Sequence, residues 1–174
     1  MIAIFSDTHS YRGHELEGEA LAAAREADVV VHAGDFTSVA ALEAFQATCS
    51  TLLAVHGNAD EPAVRDRLPT ERVVDEAGVR LAVTHRRDGG ETGLAMFGRA
   101  QDADVVVSGH THRPTAIDAG DVLLLNPGSH AQPRGNRPGL ALLESVDGGV
   151  VGQLLEPDGT LIEAIEHRRR SEES

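Results

Sequence analysis

The sequence predicts an α/β domain, and three of its features lead to that prediction. Short runs of valine, isoleucine and leucine recur, and runs of this length and composition are typical of buried strands. Stretches rich in alanine and glutamate, with apolar residues at helical spacing, lie between the early runs. Hairpin-type turns are frequent in the second half. A chain of 174 residues, 41 % of them hydrophobic, can bury the core of one such domain.

Six apolar runs are the predicted strands, and each is followed by polar or ionisable residues. They are Met1–Phe5, Val29–Val31, Leu52–Val55, Val79–Thr84, Val105–Val107 and Val122–Leu125. Three helices are predicted, at Glu15–Ala27, at Val39–Ala47 with Thr37 or Ser38 as the N-cap, and at Thr92–Gln101. Alternating strands and helices in the first half predict parallel pairing through right-handed crossovers.

The second half changes character at about Thr115. Three turn sequences separate its short strands, at Asp118–Gly120, Asp147–Gly149 and Asp158–Gly159. Such turns predict an antiparallel portion or a second sheet. No repeat or linker interrupts the chain, so we predict one domain over residues 1–167 and a charged tail over residues 168–174.

The charge balance restricts the partners of the protein. There are 28 acidic and 15 basic residues, a formal charge of -13, and every basic residue is arginine. Such acidity argues against nucleic acid or an anionic membrane as the main partner. It fits either an ordinary hydrated surface or adaptation to high salt, and the absence of lysine favours a halophile. The single cysteine, Cys49, excludes an intramolecular disulfide and a cysteine-rich zinc module.

The sequence also indicates where the protein works. No apolar run reaches the roughly 18 residues of a membrane span. Met1 leads directly into the first predicted strand, with no basic segment typical of a secretory leader. We therefore expect a soluble, cytoplasmic protein.

Candidate metal ligands follow the predicted strands. They are Asp7, His9, Asp35, Asn58, His85, His110 and His112. Loops at the carboxyl ends of strands in α/β sheets gather ligands at one edge. Imidazole, carboxylate and amide groups without thiolate suit Mn²⁺, Fe²⁺, Ni²⁺ or Zn²⁺. Seven ligands exceed the needs of one catalytic ion, which favours two ions sharing a carboxylate, although spacing alone leaves their distribution open.

The order of these motifs resembles that of the calcineurin-like metallophosphoesterases, and more closely that of their small bacterial and archaeal phosphodiesterase branch. The matching blocks are S-D-T-H at Ser6–His9, G-D at Gly34–Asp35, G-N-x-D at Gly57–Asp60, His85 alone, G-H-T-H-R-P at Gly109–Pro114 and N-P-G-S at Asn126–Ser129. The resemblance extends from Met1 to about Leu143. It implies a four-layer αββα sandwich, in which two mixed sheets face each other and helices cover the outer faces.

The resemblance also implies a distribution of ligands. Asp7, His9 and His112 would hold one ion, and Asn58, His85 and His110 the other. Asp35 would bridge the two. Two divalent cofactors are implied, with Mn²⁺ preferred and Ni²⁺, Fe²⁺, Zn²⁺ and Mg²⁺ as alternatives. The implied reaction is hydrolysis of a phosphodiester by a metal-bound water or hydroxide that bridges the ions.

One departure from the family pattern bears on the substrate. Many relatives have a histidine that contacts phosphate where this chain has Ala59. Its absence favours diesters over monoesters and gives Asp60 an orienting role. Arg113, Arg134 and His130 are the candidate substrate contacts.

Two other functions stay open within the same fold. One is a phosphomonoesterase. The other is a non-catalytic scaffold that binds proteins, as does a retromer subunit of eukaryotes with this fold. The expected partner is a small-molecule phosphodiester, without a nucleic-acid-binding surface or a membrane, and homo-oligomerisation stays open.

Overall fold

A computed structural model describes residues 1–170 and contains two mixed sheets with helices against them. In chain order its elements are β1 (Ile2–Phe5), α1 (Gly18–Glu26), β2 (Val29–His32), α2 (Val39–Thr48), β3 (Leu52–Ala54), α3 (Pro62–Arg65), β4 (Glu71–Glu76), β5 (Val79–Thr84), α4 (Gly90–Ala100), β6 (Val105–Val107), β7 (Thr115–Asp118), β8 (Leu123–Asn126), β9 (Leu140–Val146), β10 (Gly149–Leu155) and β11 (Leu161–Arg168).

Each sheet combines parallel and antiparallel pairing. The first has the strand order β11-β10-β9-β1-β2-β3, with β1, β2 and β3 parallel and the remaining pairs antiparallel. The second has the order β4-β5-β6-β8-β7, with β5, β6 and β8 parallel and an antiparallel strand at each edge. The predicted parallel pairing of the first half and the predicted antiparallel portion and second sheet are all present, although β4 pairs antiparallel with β5 and β8 pairs parallel with β6.

Alternation along the strands divides the core into layers. On β1, Ile2 and Ile4 belong to a buried cluster that contains residues of both sheets. Ala3 and Phe5 point the other way and pack with residues of α1 and α2. Helix α4 covers the second sheet, where Phe97 packs with Val106. Four layers in the order helix, sheet, sheet, helix result, which confirms the predicted αββα sandwich.

The boundaries of two helices differ from the prediction. Helix α1 begins at Gly18 instead of Glu15. Glu15 has a φ of +58°, and its carboxylate accepts a hydrogen bond from the Ser10 hydroxyl, which holds it in a turn. Helix α4 begins two residues earlier than predicted, at Gly90. For α2 the predicted cap is confirmed, since the Ser38 hydroxyl accepts the N–H of Ala41.

Two elements of the structure were not predicted. The unpredicted elements are α3, which has only four residues, and the edge strand β4. Strand β11 continues through Arg168, one residue past the expected end of the domain, and the Arg169 guanidinium pairs with Asp104. Residues 171–174 of the expected tail lie outside the described residues, so the division at residue 167 stays a prediction. Within residues 1–170, no helix is both long and apolar enough to cross a membrane.

Candidate metal centre

The loops that follow strands of both sheets bring the seven predicted ligands together. Ligand atoms of Asp7, His9 and His112 lie within 4.8 Å of one another. Those of Asp35, His85 and His110 do the same. The Asn58 Oδ1 joins this second group, 3.0 Å from the His110 Nδ1. These are the two groups that the family resemblance implied, and we call all seven residues together the ligand cluster.

Two aspartates connect the groups at the centre of the ligand cluster. The Asp35 Oδ2 lies 3.4 Å from the His9 Nε2 and 3.1 Å from the His85 Nε2. The Asp7 Oδ1 lies 3.6 Å from the His9 Nε2 and 3.4 Å from the His112 Nε2. Asp7, Asp35, His85 and His112 are buried, whereas Asn58 and His110 are exposed. The cluster is therefore open to solvent on the Asn58 and His110 side.

Hydrogen bonds on the far side of the rings fix their orientation. The His85 Nδ1 donates to the Ala33 carbonyl at 2.8 Å, and the His112 Nδ1 donates to the Gln132 carbonyl. A neutral ring that donates from Nδ1 has its lone pair on Nε2, so both rings direct a lone pair at a carboxylate.

Acceptors that face each other in a buried place are unfavourable unless a cation or a proton lies between them. Within residues 1–170, the buried Asp7 Oδ1, His9 Nε2 and His85 Nε2 have no hydrogen-bond partner. Three of the six unpartnered buried side-chain atoms in this part of the chain therefore belong to the ligand cluster and converge on its centre, and the other three are ring nitrogens of His130 and His167. Their chemistry fits divalent cations held by nitrogen and oxygen.

The charges of the cluster favour positive charge at the same point. Burial raises the pKa of the Asp35 carboxyl, but the His85 ring and the N–H of Ala59 outweigh burial and leave this pKa below its usual value. Burial lowers the pKa of the His85 ring, yet Asp35 and Asp7 together bring it above its usual value. Burial lowers the pKa of His110.

The backbone of the ligands is unusual. Five of the seven have a positive φ: Asp7 at +56°, His9 at +44°, Asp35 at +62°, His110 at +73° and His112 at +59°. Residues other than glycine rarely adopt this left-handed conformation, which costs roughly 1 kcal/mol or more each. Strain of this kind is characteristic of functional sites, where it aims side chains that regular strands would direct elsewhere.

Two glycines make room for the aspartates. A Cβ on Gly57 would lie 2.2 Å from the Asp35 Oδ1. A Cβ on Gly109 would lie 2.1 Å from the Ser6 Oγ and 2.6 Å from the Asp7 Oδ2. Neither approach is possible for a larger residue without displacing a carboxylate. The glycine of the G-N motif and that of the G-H-T-H motif therefore have a steric function.

Asp60 lies beneath the ligand loops. Its carboxylate accepts the N–H of Asp35 at 3.0 Å, that of Thr37 at 2.7 Å and that of Gly57 at 2.7 Å. Burial raises the pKa of Asp60 above its usual value, although the N–H donors act against that rise. These contacts join the loop after β2 to the loop after β3.

Two serine hydroxyls, which are not among the predicted ligands or substrate contacts, also hold Asp7. The Ser6 hydroxyl donates to the Asp7 Oδ2 at 2.6 Å, and the Ser129 hydroxyl donates to the Asp7 carbonyl at 2.7 Å. Ser6 belongs to the S-D-T-H block and Ser129 to the N-P-G-S block, and this membership is the feature of the sequence that could have identified them.

The three predicted substrate contacts have different surroundings. Arg113 is exposed and lines a cleft beside His85 and His110. Arg134 is exposed, with a φ of +50°, and does not line the clefts described below. His130 requires a correction. Its ring is only 8 % exposed and packs edge-on against Phe5, its Nε2 donates to the His14 carbonyl, and burial lowers its pKa to about 4. Its place is the core and not the substrate surface.

Three clefts meet the ligand cluster. The first, of about 570 Å³, is bounded by His85, Gly109 and His110. The second, of about 640 Å³, contains His56 and Asn58 and shares His85 with the first. The third, of about 540 Å³, opens beside His9. A small molecule can therefore reach both ligand groups.

Comparison with known proteins gives the chain its family. The family model of the calcineurin-like phosphoesterase superfamily domain matches residues 1–148. A probable metallophosphoesterase from Methanocaldococcus jannaschii is 33 % identical over 139 residues, which cover 77 % of this chain and 70 % of the relative. A phosphodiesterase from the same organism is 26 % identical over 138 residues, covering 73 % of this chain and 82 % of the relative.

A solved structure supports the fold. Vacuolar Protein Sorting 29 from Cryptosporidium parvum superposes with a TM-score of 0.79 at 21 % identity and covers 97 % of both chains. At that identity the similarity establishes the architecture alone. The extent of the family match and the identity to the archaeal metallophosphoesterase go further, and together they show that this chain belongs to the calcineurin-like phosphoesterase superfamily.

Proposed function

We propose that the protein is a two-metal phosphodiesterase acting on small molecules. The observation that carries this proposal is the convergence of buried acceptor atoms, with the Asp35 Oδ2 3.1 Å from the unpartnered His85 Nε2. Asp7, His9 and His112 would hold one ion, with Asn58, His85 and His110 holding the other. Asp35 would be shared. The phosphodiesterase name of an archaeal relative supports the reaction class.

Charge explains how an acidic protein would accept a phosphate. When bound, two divalent cations supply positive charge and acidify water at the site, and with the Asp7 and Asp35 carboxylates they leave a net charge of about +2. The residues of the chain itself position the ligand loops and add positive charge. The Ser6 hydroxyl and the Asp60 carboxylate hold the ligand loops in place. Arg113 adds positive charge where the first cleft meets His110.

The absence of a proton donor at Ala59 supports a diester substrate. Ala59 is exposed beside Asn58, and its methyl side chain cannot protonate a leaving group. Asp60 does not replace it, because its carboxylate faces three backbone N–H groups. Without a proton donor at this position, the hydrolysis of monoesters with poor leaving groups would be slowed most.

Metal analysis and hydrolysis of bis-p-nitrophenyl phosphate with Mn²⁺ test the proposal. We expect two ions per chain and measurable hydrolysis. Asp35→Asn and His110→Ala should each reduce kcat by at least about 100-fold, since the first removes the charge and one oxygen donor of the shared carboxylate and the second removes an imidazole ligand. Asp66→Asn, at the exposed end of α3, is the control and should keep full activity. A protein that binds no metal, or full activity in both ligand variants, would contradict the proposal.

A phosphomonoesterase is the second candidate within the superfamily. The test compares kcat/KM for p-nitrophenyl phosphate with that for the bis-p-nitrophenyl diester under the same conditions. We expect the diester to be preferred. A clear preference for the monoester would overturn the interpretation of Ala59.

A non-catalytic scaffold is the third candidate, and the similarity to Vacuolar Protein Sorting 29 is the observation that favours it. The intact ligand cluster favours catalysis instead, because a scaffold does not require seven aligned ligands. Metal binding without hydrolysis of any phosphoester, monoester or diester, would support the scaffold.

The metal, the location and the salt environment complete the proposal. We propose Mn²⁺ as the activating ion, a cytoplasmic location and a high-salt environment, the last on the basis of the charge of -13 without lysine. Thermal melting in dilute buffer and in 2 M KCl, a concentration at which the Debye length is only about 2 Å, tests the salt adaptation. We expect Tm to rise with salt, and a constant or falling Tm would contradict it.

A further inference from the structure

The first cleft continues from the ligand cluster along the outer side of the second sheet, and we call it the α4 groove. Its inner end is formed by His85, Gly109 and His110. Its far end lies between the start of α4, at Gly90 and Leu94, and the strands β7 and β8. The groove therefore joins the exposed half of the ligand cluster to an apolar layer of the fold.

The floor of the α4 groove is apolar. Leu94 of α4, Ile117 of β7 and Leu124 of β8 line it, and all three pack in the cluster between α4 and the second sheet. Leu94 and Ile117 are only half-buried. Their remaining apolar surface faces the groove, so an apolar group bound there would be removed from water.

The charged residues of the α4 groove are not equivalent. The Arg87 guanidinium already has partners within the protein, since it pairs with Glu71 at 2.7 Å and lies 4.2 Å from the Phe97 ring centre. Arg86 has a weak contact, 3.9 Å from Asp88. Within the described chain Arg113 forms no ion pair, and it lines the same groove as His110. Asp88 and Glu91 carry the negative charges of the rim.

We infer that the α4 groove binds an apolar ester group, aryl or branched alkyl, of the phosphodiester substrate. The inference rests on the proposed function, because the phosphate is taken to lie at the ligand cluster beside Arg113. A phosphate there would have one of its ester groups at the inner end of the groove. A volume of about 570 Å³ falls in the range of small-molecule sites and far exceeds the needs of a methyl ester.

Binding of two non-chromogenic diesters tests the inference without using turnover. Calorimetry would measure Kd for dimethyl phosphate and for diphenyl phosphate, with the protein in excess Mn²⁺. We expect diphenyl phosphate to bind at least about tenfold more tightly, because the α4 groove would remove the apolar surface of a phenyl ring from water. Equal affinities in the wild-type protein would overturn the inference.

Matched variants locate the effect in the groove. Leu94→Gln should bring the ratio of the two affinities towards one. Met96→Gln is its control on the same helix, because Met96 is 63 % exposed and does not line the groove. Ile117→Thr keeps a β-branched residue in β7 and provides a second variant if Leu94→Gln fails to fold. An unchanged ratio in Ile117→Thr and in folded Leu94→Gln, or an equal loss in Met96→Gln, would contradict the inference.

The two proposals can fail separately. Hydrolysis of bis-p-nitrophenyl phosphate without any preference for diphenyl phosphate would contradict the groove and leave the phosphodiesterase standing. A preference lost in Leu94→Gln, in a protein that hydrolyses no phosphoester, would support the groove and contradict the catalytic proposal.

Discussion

The Asp60 carboxylate accepts the main-chain N–H of Asp35 at 3.0 Å, across 25 residues of sequence. The same carboxylate holds the N–H of Gly57, next to the ligand Asn58. One side chain thus fixes the relative position of two loops that both contribute to the second ligand group.

Replacing Asp60 should therefore weaken the metal centre without removing a ligand. We expect Asp60→Asn to lower Mn²⁺ affinity or kcat by about 10–100-fold, since groups that orient ligands typically have effects of that size. Titration with Mn²⁺ and hydrolysis of bis-p-nitrophenyl phosphate would measure the effect. Asp66→Asn is the matched control. Wild-type affinity and activity in Asp60→Asn would show that the loops hold their position without this carboxylate.

Gly109 permits the close approach of Ser6 and Asp7, and a methyl group there should disturb both. We expect Gly109→Ala to reduce kcat by about tenfold or more, because the added Cβ would overlap the Ser6 hydroxyl and the Asp7 carboxylate. Gly13→Ala is the control, since its Cβ would meet only Ala44, at 3.8 Å. Comparable activity in the two variants would contradict the steric function of Gly109.

Replacing each of the two arginines that were predicted to contact the substrate should have a different effect on kcat/KM. Arg113 lines the groove beside His110, whereas Arg134 does not line the three clefts at the ligand cluster. We expect Arg113→Gln to lower kcat/KM for bis-p-nitrophenyl phosphate by about tenfold, through the loss of a charge that faces phosphate. Arg134→Gln should change it less than twofold. A larger loss of kcat/KM in Arg134→Gln than in Arg113→Gln would indicate that Arg134 contacts the phosphate instead.

An ion pair far from the ligand cluster should make stability depend on pH. Burial raises the pKa of Asp104, but the Arg169 guanidinium and the N–H of Arg80 outweigh it and leave this pKa below its usual value. A carboxyl of this kind stabilises the native state above its unfolded pKa of about 3.9 and loses that contribution as pH falls through the lower folded value.

Asp104→Asn should consequently lower Tm by about 2–4 °C at pH 7, and the difference from wild type should shrink as pH falls below about 3.9. Thermal melts at pH 7 and at a series of more acid pH values measure it, with Asp147→Asn in an exposed turn as the control. A difference that stays constant throughout this series would show that the pair acts through packing and not through charge.

The convergence of the candidate ligands was predictable because their chemistry is visible in the sequence. Asp7 and Asp35 follow buried apolar runs, and the carboxyl ends of parallel strands gather loops. The left-handed backbone of the same residues was not predictable, because aspartate and histidine adopt a positive φ more often than most residues do, but the sequence does not say which of them will. At Asp35, the loop is held by the hydrogen bond from its N–H to the Asp60 carboxylate.

Elements that depend on tertiary contacts were also beyond the sequence pattern. Strand β4 carries charges at Glu71, Arg72 and Asp75 and is only half-buried at the edge of its sheet, so its apolar pattern is weak. His130 looked like a substrate contact because it follows the N-P-G-S block. Its ring is buried against Phe5 of β1, which lies 125 residues away in sequence, and a contact between such distant residues cannot be predicted from a local sequence pattern.

The left-handed residues of the ligand cluster have a consequence for which metal the protein would take up. Their backbone conformations are set by the loops of the fold, so the same side chains would be offered to any divalent ion of similar size and ligand preference. We expect the metal found in the purified protein to follow the supply during its production more closely than any preference of the chain.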